Sequence, residues 1–254
     1  MPFTVSHAAA AAPLWPLVRR GHLPLAALAV GAMSPDFEYF LHLRTLALWS
    51  HSPLGLVAFC LPAGLLVLAA WELVARAPVR HLLALDAEPR PAPRDRRWWG
   101  RAAVAVVVGA ATHVVWDSVT HPGYWVVRHV PALRVPTVSL GARPMPLFTL
   151  LDHLSTVVGG IAVVAWLGRE MRRAGAWRVL GRSPWRWGAL LALVGVALAA
   201  GLWNGTHPSV AAGAWRSQLW VARVAVGAML GFGLALLALG VAHRAGDYHR
   251  RELH

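Results

Sequence analysis

Five apolar runs constrain the fold of this chain more than any other feature of its sequence. They cover residues 53–74, 102–116, 154–168, 188–203 and 224–242. A helix rises ~1.5 Å per residue, so each run with its flanking residues spans, or nearly spans, a hydrocarbon core of ~30 Å. Within lipid a segment must satisfy its own backbone hydrogen bonds, which favours helices. The sequence therefore predicts an all-α, polytopic membrane helix bundle with about five transmembrane helices.

The first fifty residues carry a shorter apolar stretch. The run 23–33 has eleven residues, which is short for a span and typical of a re-entrant helix or one packed within the bundle. Ser34 precedes Pro35 and Ser52 precedes Pro53. Serine is a favoured N-cap and proline a favoured first helical residue, so both pairs predict helix starts.

The basic charge of the chain follows the predicted spans. Its net charge is +13 and all 24 basic residues are arginine, which excludes sites built on a catalytic or phosphate-binding lysine. Seven arginines lie in 76–101, six in 169–186 and three after His243, whereas 119–150 and 204–218 hold few. The positive-inside rule therefore predicts a multi-pass plasma-membrane protein with a cytoplasmic C-terminus. The expected partner is the lipid bilayer and not nucleic acid.

The second apolar run ends on a spaced set of ionisable residues. His113, Asp117 and His121 follow one another at intervals of four, which places them on one face of a helix. Two imidazoles and a carboxylate are ligand types that suit Zn²⁺ or a similar divalent ion. Pro122 disfavours helix beyond His121, so the three occupy the last two turns. Ionisable groups this deep in a membrane usually face a cavity or one another.

Other potential ligands fall at the same predicted outer level. His51 precedes the first long run, and Asp152 and His153 precede the third. Together with His113, Asp117 and His121, they predict a metal centre of the zinc type at the outer end of the bundle.

Simpler interpretations stay open for the individual residues. Each histidine alone is compatible with a hydrogen-bonded helix end, Asp36 with a helix-start carboxylate, and Asp117 with an arginine partner. If Arg19 and Arg20 hold the N-terminus inside, residues 23–48 become a kinked sixth span that leaves the first histidine far from the site.

Four blocks of the sequence are distinctive: MPFTVSHAAAAAPL, LAVGAMSPDFEYFL, WSHSPLGL and GAATHVVWDSVTHPG. Together they resemble an uncharacterised bacterial membrane family, the domain of unknown function designated four-one-eight-four, over nearly the whole chain. More distantly, the order of ligand types is similar to that of membrane-bound metal-dependent hydrolases and of the zinc-dependent phospholipase C fold. That fold is an all-α scaffold around a multi-zinc cluster. The positions that match it in order are His7, Asp36, His51, His113, Asp117, His121 and His153.

This distant resemblance implies a ligand set. A first metal would be held by four side chains, those of Asp36, His51, His113 and Asp117. Asp117 would also bridge to a second metal near His7, while His121 and His153 would hold another. Val157 stands where the fold has a further carboxylate. This departure from the pattern concerns the third metal, so the resemblance implies one to three ions.

The combined features predict a membrane-embedded, metal-dependent hydrolase of a phosphoester or lipid-like substrate at the outer face. Asp36 is a candidate catalytic base if it is not committed as a ligand. Arg128, Arg134 and Arg143 lie in the predicted outer connection and are candidates to hold a phosphate, or else ordinary surface arginines. The alternative is a non-catalytic metal-binding integral membrane protein, with a structural or transport-related role. The last two runs offer few polar residues toward the cytoplasm, which weakens transport.

We expect a single integral membrane domain over residues 1–254. Its N-terminal helices would lie in 1–50 and carry His7 and Asp36. The metal-site helices would lie in 51–168, and two further spans in 188–243.

Overall fold

The computed structural model describes residues 4–85, 95–140, 143–207 and 218–252. The N-terminal elements are a 3₁₀ helix Thr4–Leu14, helix α1 Trp15–Arg19, helix α2 Leu25–Met33, a 3₁₀ turn Ser34–Asp36 and helix α3 Phe37–His42. The central elements are α4 Pro53–Leu82, α5 Arg96–Thr120, α6 Trp125–His129, strands β1 Pro136–Leu140 and β2 Arg143–Pro146, and α7 Leu147–Arg173. The C-terminal elements are α8 Ala176–Leu180, α9 Pro184–Gly205 and α10 Gln218–Glu252.

Five stretches of helix are long and apolar enough to cross a membrane within the described residues. They are Pro53–Leu82, Arg96–His129, Leu147–Arg173, Pro184–Gly205 and Leu219–Ala245. The predicted all-α membrane fold is therefore confirmed. A short antiparallel hairpin of β1 and β2, in which Val138 is opposite Met145, lies between the second and third of these stretches.

The two serine-proline pairs both predict helix starts, and the structure confirms only one of them. Ser52 caps α4 as predicted, since its hydroxyl accepts a hydrogen bond from the Gly55 amide at 3.0 Å. The prediction that Ser34 is an N-cap is wrong. Its hydroxyl donates to the carbonyl of Gly31 at 2.8 Å, because α2 runs on into the 3₁₀ turn and leaves no free helix start there.

The chain divides into two compact units, one formed by Met1–Phe37, Ala47–Leu66 and Pro93–Leu167, the other by Glu38–Leu46, Val67–Ala92 and Gly168–His254. In the first unit α2 packs closely against α5. A Cβ on Gly31 would lie 2.3 Å from the Val106 carbonyl oxygen, and one on Gly109 would lie 2.3 Å from that of Leu28. The two helices thus meet backbone to backbone, which only glycine allows at these positions.

The second unit contains the same kind of contact between α9 and α10. A Cβ on Gly201 would lie 2.7 Å from the Val224 carbonyl oxygen, and one on Gly227 would lie 2.6 Å from that of Ala200. Small residues at helix crossings favour association in lipid because van der Waals packing replaces the hydrophobic effect there.

Candidate metal site

The last two turns of α5 position the centre of the site, which lies entirely in the first unit. His113 and Asp117 are both buried, with 0% and 1% of their surface exposed. The helix ends at Thr120, and His121 has extended backbone angles (φ −118°, ψ 136°). This ending agrees with the position of Pro122, since a residue before proline avoids helical angles. The third residue of the predicted triad thus sits just past the helix.

A first group of ligand atoms joins three parts of the chain. Oδ1 of Asp36, at the end of the 3₁₀ turn after α2, lies 3.7 Å from Nε2 of His51 and 3.6 Å from Nε2 of His113. Oδ2 of Asp117 completes the set at 3.4 Å from His51 Nε2 and 3.3 Å from His113 Nε2. The side chains of Asp36, His51 and His113 form a group that could hold a metal ion.

A second group lies on the other oxygen of Asp117. Its Oδ1 is 3.6 Å from Nε2 of His7 and 3.5 Å from Nδ1 of His121. The rings of His7 and His113 are stacked, with centroids 3.6 Å apart. His7, His113 and Asp117 form another group that could hold a metal ion. Asp117 therefore lies between the two groups and presents one oxygen to each.

The separations between these atoms fit ligands of a shared ion. Ligands ~2.0–2.1 Å from a tetrahedral Zn²⁺ lie about 3.3–3.4 Å from one another. The contacts between carboxylate oxygens and histidine nitrogens span 3.3 to 3.7 Å, which is beyond a good hydrogen bond and within reach of ligands around one ion.

Hydrogen bonds around the cluster orient its potential metal-ligand atoms toward one another. Nδ1 of His113 lies 2.7 Å from the carbonyl oxygen of Ala32. A proton on this nitrogen leaves the Nε2 lone pair toward the two carboxylates, an arrangement that a cation between them stabilises. Oδ2 of Asp36 accepts a hydrogen bond from the Thr4 hydroxyl at 2.6 Å.

Several buried side-chain oxygen and nitrogen atoms of the cluster have no hydrogen-bond partner among the described residues. They include Oδ1 of Asp36, Nε2 of His113, Oδ1 of Asp117 and Nε2 of His121. Buried polar atoms are nearly always paired, so four such atoms in one cluster fit a site for an ion. The residues present therefore suit a metal by both spacing and chemistry.

Two of the cluster residues lie outside the membrane-spanning helices and have displaced pKa values. Burial, and then the neighbouring His113, lower the pKa of His7 to about 3. His7 is therefore neutral at physiological pH, the state that a metal ligand requires. Burial raises the pKa of Asp36, against the opposing effects of His113 and Thr4. A nearby cation would offset that cost.

The other predicted site residues belong to neither of the two ligand groups found in the described part of the chain. His153 is exposed on α7, while Asp152 beside it is buried. Arg128 and Arg134 are exposed, and the side chain of Arg143 lies outside the described residues. The roles predicted for these residues stay predictions.

The geometry decides two of the alternatives that the sequence leaves open. In the described part of the chain, no arginine lies within 4 Å of the Asp117 carboxylate. The ionisable groups within that distance are the imidazoles of His7, His51, His113 and His121. The interpretation that places His7 far from the site is wrong, because its Nε2 lies 3.6 Å from Asp117.

Sequence reasoning missed two residues at the edge of the cluster. Thr4 holds Asp36, and its position three residues before His7 was an available signal, since i and i+3 share a face of a 3₁₀ helix. Tyr124 places its ring 5.8 Å from that of His121 and 6.4 Å from that of His51. It follows a turn at Gly123, whose φ of +86° favours glycine.

Comparison with known proteins supports one assignment. Neither the curated proteins nor the solved structures gave a match. The family model described as "Domain of unknown function (DUF4184)" matches residues 1–241, nearly the whole chain and all six residues of the cluster. The chain therefore belongs to the DUF4184 family.

Proposed function

We propose that this protein is a membrane-embedded, metal-dependent hydrolase that acts on a phosphoester or lipid-like substrate at the outer face of the plasma membrane. The observation that carries the proposal is the buried cluster of four histidines and two aspartates, whose facing atoms are 3.3 to 3.7 Å apart. Such a cluster inside an apolar protein is costly unless it serves a function.

The geometry supports two ions that share Asp117. The first would be held by four side chains, those of Asp36, His51, His113 and Asp117. The second would be held by His7, by the other oxygen of Asp117 and by His121. Nitrogen and carboxylate ligands without thiolate suit Zn²⁺ or a similar divalent ion. Asp36 serves here as a ligand, since one of its oxygens faces two histidines and the other accepts the Thr4 hydroxyl.

Divalent ions bound here supply Lewis acidity, which polarises a phosphoryl oxygen and lowers the pKa of coordinated water to about 7. The protein's own part is to fix the ligands and limit the access of water. Ala32 orients His113 and Thr4 orients Asp36. Among the exposed residues near the outer connection, Arg128 and Arg134 are proposed to bind the phosphate of the substrate.

The direct test is hydrolysis by detergent-purified protein loaded with zinc. Bis(p-nitrophenyl) phosphate tests for diester cleavage and p-nitrophenyl phosphate for monoester cleavage. Turnover that disappears with a chelator and returns with zinc supports the proposal. If neither ester is cleaved by protein that retains its metal, the site is not a phosphoesterase.

The depth of the cluster favours a second function, a structural metal centre. The side chains of Asp36 and His113 are 1% and 0% exposed, and that of His121 is 14% exposed. A closed ligand set leaves no position for a reacting water. Under this alternative, metal removal would lower the thermal unfolding temperature, yet no ester would be turned over.

The assignment of His121 gives a prediction about stoichiometry. Changing His121 to alanine should lower the bound metal from two ions per chain toward one, because it removes a ligand of the second ion only. The matched control is His22→Ala, on an exposed histidine with no predicted role in the site, which should keep both ions. The metal content of the two variants tests whether His121 is a ligand. Equal metal content in both would remove His121 from the ligand set.

The membrane orientation gives another prediction. We expect residues 169–186 to be cytoplasmic and the connection after α5 to lie outside, by the positive-inside rule. In a Cys60→Ser background, an impermeant thiol reagent should label Ala132→Cys rapidly in intact cells and Val179→Cys only after lysis. Both positions are exposed in the folded protein. The reverse order of labelling would place the cluster on the cytoplasmic side.

A further inference from the structure

An apolar groove runs from the metal cluster along the membrane-spanning part of the first unit. Its volume is about 890 Å³, and the 3₁₀ helix Thr4–Leu14, α5 and α7 form its walls. This volume is within the range of ~300–1,000 Å³ found for ligand pockets. His7 belongs both to the cluster and to the groove lining, so the groove lies next to the cluster.

The lining of the groove is hydrocarbon-like, although it contains three hydroxyl groups. Each hydroxyl donates to a backbone carbonyl: Ser6 to Thr156 at 2.9 Å, Thr112 to Gly109 at 2.7 Å and Ser155 to Asp152 at 2.9 Å. These donors are therefore occupied. The remaining wall is aliphatic and aromatic, apart from His7.

One side of the groove is open between α5 and α7. The lining residues Val115, Leu154 and Val158 are 66%, 50% and 63% exposed. They belong to two helices that are long and apolar enough to span a membrane. The open side is therefore continuous with the surface that faces lipid chains.

We propose that this groove holds an acyl chain of a phospholipid substrate while its phosphoester lies at the metal cluster. The inference rests on the proposed function and narrows its substrate class. An apolar slot beside His7, a potential metal ligand, suits a molecule with a hydrocarbon tail and a hard, anionic oxygen group. A bilayer lipid enters from the open side without leaving the hydrocarbon layer.

The reaction consumes one water per ester. The water oxygen bonds to phosphorus, the P–O bond to the leaving alcohol breaks, and one proton passes to the departing oxygen. The lipid tail takes no part in this exchange and contributes only binding, which fixes the phosphoester beside His7.

A binding experiment tests the groove without turnover. Zinc-loaded protein is placed in nanodiscs with phosphatidylglycerol that carries a diazirine in its acyl chain, and crosslinks are mapped by mass spectrometry. We expect labelling at Ala111 and Leu154, which line the groove, to exceed that at Val104 and Ile161, which are exposed on the same helices outside it. Equal labelling at all four positions indicates ordinary surrounding lipid and overturns the proposal.

A matched pair of variants sharpens the result. Ala111→Phe fills the groove, whereas Ala162→Phe makes the same change at an exposed position of α7 outside the lining. The first should lose the labelling at Leu154 and the second should retain it. If Ala111→Phe does not fold, Leu154→Trp serves with loss of labelling at Ala111 as the readout. If labelling persists in both Ala111→Phe and Leu154→Trp, the proposal is overturned. A second protein chain found crosslinked in the groove would also overturn it.

An activity experiment separates the groove from the hydrolase. Soluble p-nitrophenyl alkyl phosphodiesters with methyl to octyl chains are compared below their micelle concentrations. Burial of each methylene should raise kcat/KM by up to about fourfold in wild type and in Ala162→Phe, and this slope should flatten in Ala111→Phe. Hydrolysis with no chain-length dependence overturns the groove and leaves the hydrolase standing. No hydrolysis of any ester overturns the hydrolase and the substrate role, and crosslinking alone then decides whether the groove binds lipid.

Discussion

Changing Asp117 to asparagine is expected to remove the bound metal and any metal-dependent activity while the protein still inserts and folds. Asp117 gives one oxygen to each of the two ligand groups, and an amide is a poor ligand for Zn²⁺. Removing a residue that only hydrogen-bonds to a ligand typically lowers metal affinity about 10–100-fold. Removing a ligand shared by two ions should lower metal affinity at least as much. Insertion depends on the apolar length of α5 and should not change.

The measurement is metal per chain by mass spectrometry on folded, detergent-purified protein. Asp95→Asn is the matched control on the same helix. Asp95 is the N-cap of α5, where its carboxylate accepts from the Trp98 amide at 2.7 Å, and asparagine caps a helix equally well. The control should keep wild-type metal content. Equal metal in Asp117→Asn and wild type would exclude Asp117 as a ligand.

Changing Gly109 to alanine is expected to destabilise the protein and to weaken the metal site together. The new Cβ would lie 2.3 Å from the Leu28 carbonyl oxygen and 2.6 Å from the Ala32 amide nitrogen, so α2 must move. Overpacking of this kind costs about 1–3 kcal/mol, more than the roughly 0.5–1 kcal/mol that alanine gains over glycine in a helix. Because Ala32 also holds His113, the same shift disturbs a ligand.

Thermal unfolding in detergent and metal content are the two readouts. Gly100→Ala on the same helix is the control, since a Cβ there has nothing within 4 Å. It should unfold at the wild-type temperature or slightly above, with full metal content. If Gly109→Ala behaves like Gly100→Ala, the close contact of α2 with α5 is not what positions His113.

The membrane-spanning part of the fold could be predicted from sequence because it depends on local properties. Each span is determined by its own apolar length and by the backbone hydrogen bonds that a helix makes within itself. The placement of His113 and Asp117 on one face likewise follows from one helix, whereas His121 lies just past its end. The end of that helix at Thr120 follows from one proline.

The assembly of the site depends on contacts distant in the sequence, which local patterns do not encode. The link from His113 to Ala32 crosses 81 positions and joins α5 to the end of α2, two helices that meet closely at Gly31 and Gly109. The misassigned Ser34 shows the same limit, because its local pattern predicts a helix start while α2 continues through it. The expectation that His7 lies near Asp117 rests on the order of ligand types in a distantly similar fold. The spacing of these two residues along the chain does not by itself predict it.

The most direct test of a metal centre is zinc X-ray absorption on wild-type protein, purified with an affinity tag that contains no histidine. We expect about two zinc ions per chain, each with nitrogen and oxygen neighbours at ~2.0–2.1 Å, the scattering pattern of imidazole ligands and no sulfur neighbour near ~2.3 Å. A chain that retains no zinc after it is supplied, or zinc bound through sulfur, would contradict this expectation.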